Sequence, residues 1–342
     1  LPRGEALGEK IRLAIVGCGR AAASFVRSIY SESEVEGIWH PLVGNFRVSQ
    51  LEVVACHDID RRKVGRPLAE LAGLGASRPD IMVLPGLLRD EPPPGVEPAQ
   101  GLVAPEALAE GWAQHRVDVV VNLITSGGVR SSRAYAEAAL RAGASFVNAT
   151  PARIASDPAI SESFRAAGLV VVGDDLMSQL GGTSLHRGLI DFLSRRGVRV
   201  LRSYELDVGG GLDTLATLRD DVKELKRSFV REALRAELPY PFQTAAGTMD
   251  YVEFLQERRV SYIYLEGRGP LGSEFKIDVT LRSLDPANAV NILLDVTRAV
   301  HYARLQGRYG APLDICAYGF KAPPTPLPLR EADALFTANY VK

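Results

Sequence analysis

The sequence predicts an α/β fold, a doubly wound parallel sheet accompanied by a second, smaller domain, and three observations carry that expectation. A chain of 342 residues exceeds the size at which one hydrophobic core usually stays undivided. Its N-terminal part opens on an apolar strand, a glycine turn and a helical pattern. Farther on, short apolar runs alternate with helical segments, the arrangement that buries a parallel sheet between two helical layers.

Ile11–Val16 reads as a short strand, apolar apart from Arg12, followed by Gly17-Cys18-Gly19-Arg20-Ala21-Ala22 and a helical pattern through Phe25, Val26 and Ile29. Gly17 permits the tight turn, Gly19 lets the backbone approach a pyrophosphate, and the small Ala22 lets the helix pack close to the strand. Arg20 and Ala21 then stand at the helix N-terminus, which faces the phosphates. A glycine turn without a ligand is the plain alternative. Leu51–Cys56 is a second apolar strand, and it ends in His57-Asp58-Ile59-Asp60. Asp58 falls where the adenosine ribose hydroxyls of NAD would lie, and its charge disfavours the extra phosphate of NADP. The interval from Gly19 to Asp58 is nearly twice the usual spacing of about 20 residues, so Ser31–Ser49 reads as an insertion.

Arg78–Pro105 is rich in Pro and Gly, contains Pro92-Pro93-Pro94, and reads as a surface excursion. Strand–helix alternation resumes with strand Val117–Ile124, a helix from Arg130 to Ala142, strand Ser145–Val147, a helix from Ser161 to Ala167 and strand Leu169–Val172. In such sheets ligands sit beyond the carboxyl ends of the strands. That rule makes the segments at Thr125, at Asn148 and at Asp174-Asp175 site candidates, each with a turn or helix-cap reading beside it. Asp157 and Ser161 are cap candidates of the same kind.

Composition narrows the ligand. The chain is 46% hydrophobic and 24% charged with a net charge of -1, which gives no electrostatic reason for nucleic acid or an acidic membrane as partner. No apolar run reaches the roughly 18 to 20 residues that span a bilayer, and Leu1–Lys10 lacks a secretory signal's apolar stretch, so a cytoplasmic location is expected. Cys18, Cys56 and Cys316 lack ligand spacing and are expected to be buried thiols.

The chain resembles the myo-inositol-1-phosphate synthase family in its shorter bacterial and archaeal form, in segments that follow in one order over almost the whole chain. The resemblance runs through Phe146-Val147-Asn148-Ala149, Val172-Gly173-Asp174-Asp175, Ser178-Gln179-Leu180-Gly181-Gly182-Thr183 and Val208-Gly209-Gly210. It continues through Tyr264-Leu265-Glu266-Gly267, Asp285-Pro286-Ala287-Asn288-Ala289 and Ala317-Tyr318-Gly319-Phe320-Lys321. It implies a Rossmann domain of residues 1–202 and 284–342 with an inserted α+β catalytic and tetramerisation domain of residues 203–283. Strand patterns at Arg199–Val208, Ser261–Leu265 and Phe275–Leu281, a helical stretch from Asp213 to Glu237 and a helix from Ala289 to Leu305 are compatible with that plan.

The resemblance also implies NAD as cofactor, glucose 6-phosphate or a related phosphorylated sugar as substrate, and a homotetramer serving inositol and phospholipid synthesis. In the family reaction C5 is oxidised to a ketone, a C6 proton is lost, the resulting enolate closes onto C1, and C5 is reduced again. Lys226 matches the first lysine of the family's S-K-x-x-S-K segment, Lys321 the lysine near the C-terminus, Asp285 the acid before the return helix, and Asp174-Asp175 the G-D-D pair. Three family lysines fall on Met177, Val230 and Arg259, and the asparagine of G-G-N falls on Gly211. Arg259 holds an anion well but is a poor base. The expected functions are therefore an NAD-dependent inositol-phosphate synthase with lost lysines replaced by Arg227, Arg231, Arg258, Arg259 or Lys223, a related NAD-dependent oxidoreductase or isomerase, or an inactive homolog. No metal cluster is visible, although a hard cation on Asp174, Asp175 or Asp285 would leave no sequence signature. His186 reads as a histidine satisfied within the structure.

Overall fold

The computed structural model describes residues 9–31, 37–75 and 81–342. Residues 1–8, 32–36 and 78–80, on which the readings of Leu1–Lys10, Ser31–Ser49 and Arg78–Pro105 partly rest, lie outside the described residues. The strands are, in chain order, β1 (Ile11–Val16), a hairpin of β2 (Leu42–Val43) and β3 (Phe46–Arg47), β4 (Leu51–Asp58), β5 (Leu84–Pro85), β6 (Val119–Asn122), β7 (Ser145–Asn148) and β8 (Val171–Val172). They are followed by β9 (Arg199–Gly209), β10 (Gln243–Tyr251), β11 (Arg258–Arg268) and β12 (Glu274–Leu284).

Six strands form a sheet in the order β5-β4-β1-β6-β7-β8, every pair parallel. Their side chains are apolar on both faces because helices cover both, and Leu13, Ile15, Val119, Val121 and Val147 are buried on one side while Ala14, Val16, Val120 and Phe146 are buried on the other. The strand order reverses on either side of β1, which opens a crevice at its carboxyl end. Helix Val290–Leu305 returns the chain to this core, as its apolar pattern predicts.

The second sheet has the order β10-β9-β11-β12, with β9 and β10 parallel and the other pairs antiparallel. Alternation along β9 buries Ser203, Glu205 and Asp207 on one face and leaves Tyr204 and Leu206 on the other. Helices Gly182–Arg195 and Asp220–Arg235 cover the buried face through Ile190, Leu193, Val230 and Leu234. Three acidic or hydroxylic side chains on a covered sheet face are a sign of function, since apolar residues would be cheaper there.

Four sequence expectations change. The Asp213–Glu237 stretch is two helices, Leu212–Thr217 and Asp220–Arg235, separated at Leu218-Arg219. Strand β10 was not expected, because Thr244-Ala245-Ala246-Gly247-Thr248 lacks an apolar period. Tertiary packing selects it: a Cβ at Gly247 would stand 2.8 Å from Arg227 Nε. The Arg78–Pro105 reading changes in part: residues 88–104 do run over the surface, exposed or half-buried, but the segment is anchored where Val83 and Leu87 are buried and the Tyr135 hydroxyl bonds both the N–H and the C=O of Leu87. Asp157 does cap the helix Pro158–Ala166, but Ser161 lies inside that helix. All three cysteines are buried and free, and Cys18 and Cys56, distant in sequence, meet with their Sγ atoms 2.7 Å apart.

Candidate functional site

The glycine turn between β1 and helix Arg20–Tyr30 is built for close backbone contact. Gly17 adopts φ +88°, and a Cβ there would lie 2.6 Å from the Leu123 backbone carbonyl. A Cβ at Gly19 would meet nothing within 4 Å, which leaves open space over the first turn of the helix. That turn carries no acidic residue and no side-chain cap on its N-terminal N–H groups. These features fit a dinucleotide pyrophosphate. Asp58 lies at the same end with its carboxylate accepting from the Cys18 N–H at 2.7 Å, the Asp60 N–H at 2.8 Å and Lys63 Nζ at 2.9 Å.

One cavity of about 780 Å³ joins this turn to the buried face of the second sheet. Gly17, Gly19, Arg20, Ala21, Asp58 and Thr125 line its end at the glycine turn, and Asp175, Lys226, Arg259, Asp285 and Lys321 line the other. Helix Asp220–Arg235 delivers Lys226, whose Nζ lies 2.7 Å from Asp213 Oδ2 and 3.2 Å from Thr217 Oγ1. Burial works against the Lys226 charge, but Asp213 and then Asp175 outweigh it and raise its pKa. Asp213, whose side chain is only half-buried, is held well below the ordinary carboxylate range by Lys226 and by bonds from Ser126, which outweigh its partial desolvation.

Lys321 Nζ is 3.3 Å from both carboxylate oxygens of Asp175. Arg259, at the start of β11, bridges Asp207 at 3.2 Å and Asp285 at 2.5 Å. Burial opposes its charge too, yet Asp285 and Asp207 keep the guanidinium's pKa raised. A permanent cation of this kind can steady negative charge on oxygen but cannot take up a proton.

The remaining predicted site residues are divided between the cavity and the structure around it. Asp174, expected to bind cofactor, is wholly buried outside the cavity, its carboxylate accepting from Asn148 Nδ2, from the N–H groups of Ile154, Ala155 and Ser156, and from Ser156 Oγ. Asn148 is likewise withdrawn, its amide shared among Asn122, Thr150, Ala152 and Asp174. Neither lines the cavity, so the structure does not bring these two together with the other candidates. Ala22 is buried in the helix–sheet interface. Of the cations expected to replace the lost lysines, Arg258 and Arg259 reach the cavity. Arg231 instead pairs with Glu224 on the helix surface, and Arg227 packs on β10 at Gly247. Met177 and Val230 are both buried in the cavity wall.

Sequence reasoning missed Asp213, Glu205 and Asp207. Asp207 accepts from Ser261 Oγ at 2.5 Å, and Glu205 stands beside His186 Nδ1 at 3.2 Å. An acid at every second position of a strand otherwise suited to burial was the available signal.

The sequence pattern of the family described as myo-inositol-1-phosphate synthase matches residues 181–286. An inositol-3-phosphate synthase of Mycobacterium tuberculosis is 33% identical over 358 aligned positions, which cover 96% of this chain and 95% of that protein. The chain belongs to the myo-inositol-1-phosphate synthase family. An uncharacterized protein of Mycobacterium bovis shows the same 33% identity and coverage, so this family includes members whose names carry no activity. A myo-inositol-1-phosphate synthase-related protein from Thermotoga maritima has the same fold, with a TM-score of 0.83 at 23% identity over 96% of this chain and 98% of that one. Among the described residues no helix is long and apolar enough to cross a membrane.

Proposed function

We propose that the protein is an NAD-dependent isomerase of the inositol-3-phosphate synthase type, acting on a phosphorylated hexose such as glucose 6-phosphate. The observation that carries this reading is the convergence of Lys226, Lys321 and Arg259 with their carboxylate partners in a cavity continuous with the Gly17–Gly19 turn. NAD, when bound, supplies a reversible hydride acceptor. Gly17, Gly19, Arg20 and Ala21 would hold its pyrophosphate and Asp58 its adenosine ribose, with Thr125 beside them.

Lys226 stays protonated on Asp213 and stabilises negative charge on a substrate oxygen. Lys321, carried on the segment after helix Leu313–Gly319 and held at Asp175, lines the same cavity as a second donor for the phosphate or an alkoxide. Arg259 and Asp285 form a fixed pair that orients hydroxyl groups by donating and accepting hydrogen bonds.

We assign residues 1–202 and 284–342 to the dinucleotide-binding domain and 203–283 to the inserted domain, and a homotetramer contact to the outer face of the second sheet. There Tyr204 stacks on Tyr264 with ring centroids 5.0 Å apart, and Met249 and Leu284 are exposed. Met177 and Val230, apolar where the family has lysines, support a second reading: the same redox chemistry on a different sugar or polyol phosphate.

Incubation of the purified protein with NAD and glucose 6-phosphate tests the first reading through chromatographic detection of inositol phosphate and transient NADH absorbance. Product that Lys321→Ala abolishes is the expected result. Tight NAD binding without product overturns it and moves the search to other sugar and polyol phosphates.

A further inference from the structure

Among the described residues, Lys226, Lys321 and Arg259 share the cavity with the carboxylates of Asp175, Asp207, Asp285, Asp213 and Glu205, and the first four of these are ion-paired: Asp175 to Lys321, Asp207 and Asp285 to Arg259, and Asp213 to Lys226. The fifth is Glu205. Its bonded partners are His186 Nδ1 at 3.2 Å and, at the limit of a hydrogen bond, Thr183 Oγ1 at 3.5 Å. The side chain lies against the first turn of helix Gly182–Arg195, where Gly182 makes room for it: a Cβ there would overlap Glu205 Oε1. His186 is fully buried on the same helix, and its Nε2 has no hydrogen-bond partner. The expectation that His186 is satisfied within the structure holds for one ring nitrogen and fails for the other.

Proton transfer near neutrality needs a group that is not locked in one charge state. Arg259 is permanently protonated, Lys226 is held protonated by Asp213, and Asp213 is held ionised by Lys226. Met177 and Val230 carry no proton at all. We propose that Glu205, backed by His186, is the proton carrier of this site, taking a proton from the carbon beside the substrate ketone and returning it to the oxygen formed on ring closure. This assignment rests on the proposed function.

The step balances. The C–H bond breaks, its electron pair becomes the C=C bond of an enolate, and the proton adds to a Glu205 carboxylate oxygen. The enolate carbon then bonds to the aldehyde carbon, whose oxygen receives the displaced pair and takes the proton back from Glu205. Lys226 and Lys321 steady the oxygen charge at each stage.

The groups facing Glu205 set its titration. On its own strand Asp207 repels its charge, helix Gly182–Arg195 contributes His186 and Thr183, β11 contributes Ser261 and Arg259, and Lys321 approaches from the C-terminal segment. Burial first and Asp207 second raise the Glu205 pKa, while His186 and Lys321 pull it down. A raised carboxylate pKa makes a stronger base, and activity falls as pH drops through it.

The test compares the wild type with Glu205→Gln and His186→Gln. It follows kcat against pH with glucose 6-phosphate and NAD, deuterium uptake from D2O into recovered sugar phosphate, and the His186 ring signals by NMR without NAD. Glu205→Gln is expected to lower kcat about 100-fold or more and abolish deuterium uptake, while NAD affinity stays within about threefold. His186→Gln is expected to move the acid limb to higher pH, because a contact that lowers the Glu205 pKa is gone. In the wild type the His186 signals should follow the Glu205 titration, and in Glu205→Gln they should not.

A Glu205→Gln enzyme with kcat within about threefold of wild type and the same acid limb overturns the role of Glu205 alone. A wild type that forms no inositol phosphate overturns the preceding reading and this assignment with it. Should Glu205→Gln fail to fold, Glu205→Asp replaces it, and an acid limb that neither Glu205→Asp nor His186→Gln moves overturns the proposal.

Discussion

Asp174 and Glu205 are equally sealed from solvent, at 0% and 2% exposure, and burial pushes both carboxyl groups up. Their surroundings differ completely. Asp174, beyond the end of the Rossmann sheet, accepts five hydrogen bonds from Asn148, Ile154, Ala155 and Ser156 and does not line the cavity. Glu205, on the second sheet, has an imidazole and a distant hydroxyl, and the cavity runs along it. A carboxylate surrounded by donors is a structural hub, because removing it strands those donors. One left short of donors at a cavity wall is free to exchange a proton with a ligand. Burial alone therefore does not separate structural from functional acids, whereas the bonding of each oxygen does.

Replacing the hub should have the largest effect. Asp174→Ala strips the Asn148 amide and the N–H groups of Ile154, Ala155 and Ser156 of their acceptor and is expected to cost about 3–5 kcal/mol, enough to lower Tm by roughly 6–15 °C or prevent folding. Thermal unfolding within about 2 °C of wild type would dissolve the contrast. Lys226→Met acts on the other region. It should reduce turnover about 100- to 1000-fold while NAD affinity, measured by titration calorimetry, is preserved. A parallel loss of NAD affinity would place Lys226 at the dinucleotide end instead.

The two turn glycines sharpen the comparison at the proposed dinucleotide site. Gly19→Ala meets no neighbour and should fold normally but weaken NAD about tenfold, because its new methyl group stands where a phosphate approaches. Gly17→Ala would overlap the Leu123 backbone and should lower Tm as well. Equal melting temperatures for the two variants would show that the turn adjusts freely.

The smallest expected effect is the pH dependence of the Asp213–Lys226 pair. The folded protein lowers the Asp213 pKa from its ordinary 3.8, so the pair's stabilising contribution is present above that value and is lost as pH falls toward the folded one. Wild type should melt a few degrees above Asp213→Asn at pH 7, and the gap should close in acid. A gap that persists at low pH would mean that packing, not charge, accounts for it.

The Rossmann half was legible because its signals are local. Apolar runs, Gly17, Gly19 and the Asp58 strand end state their conformations within a few residues, and parallel strands buried on both faces leave little choice of partner. The second sheet was legible only in part. Arg199–Val208 and Ser261–Leu265 alternate clearly, whereas β10 has weak propensity and exists because β9 pairs with it on one side and Arg227 packs over Gly247.

What the sequence determined by itself was the fold class and the glycine turn, since backbone preference and side-chain periodicity act over short distances, while its resemblance to the family singled out Lys226 and Lys321. Tertiary structure alone decided which acids matter. Asp174 and Asp175 are neighbours in sequence, yet one bonds to backbone N–H groups and the other faces Lys321. Glu205 meets His186 from an element 19 residues away, and Arg259 joins Asp207 to Asp285 across the sheet. The charge state and role of a carboxyl group depend on the donors within about 4 Å of it, and chain folding brings those donors from positions that no local pattern connects.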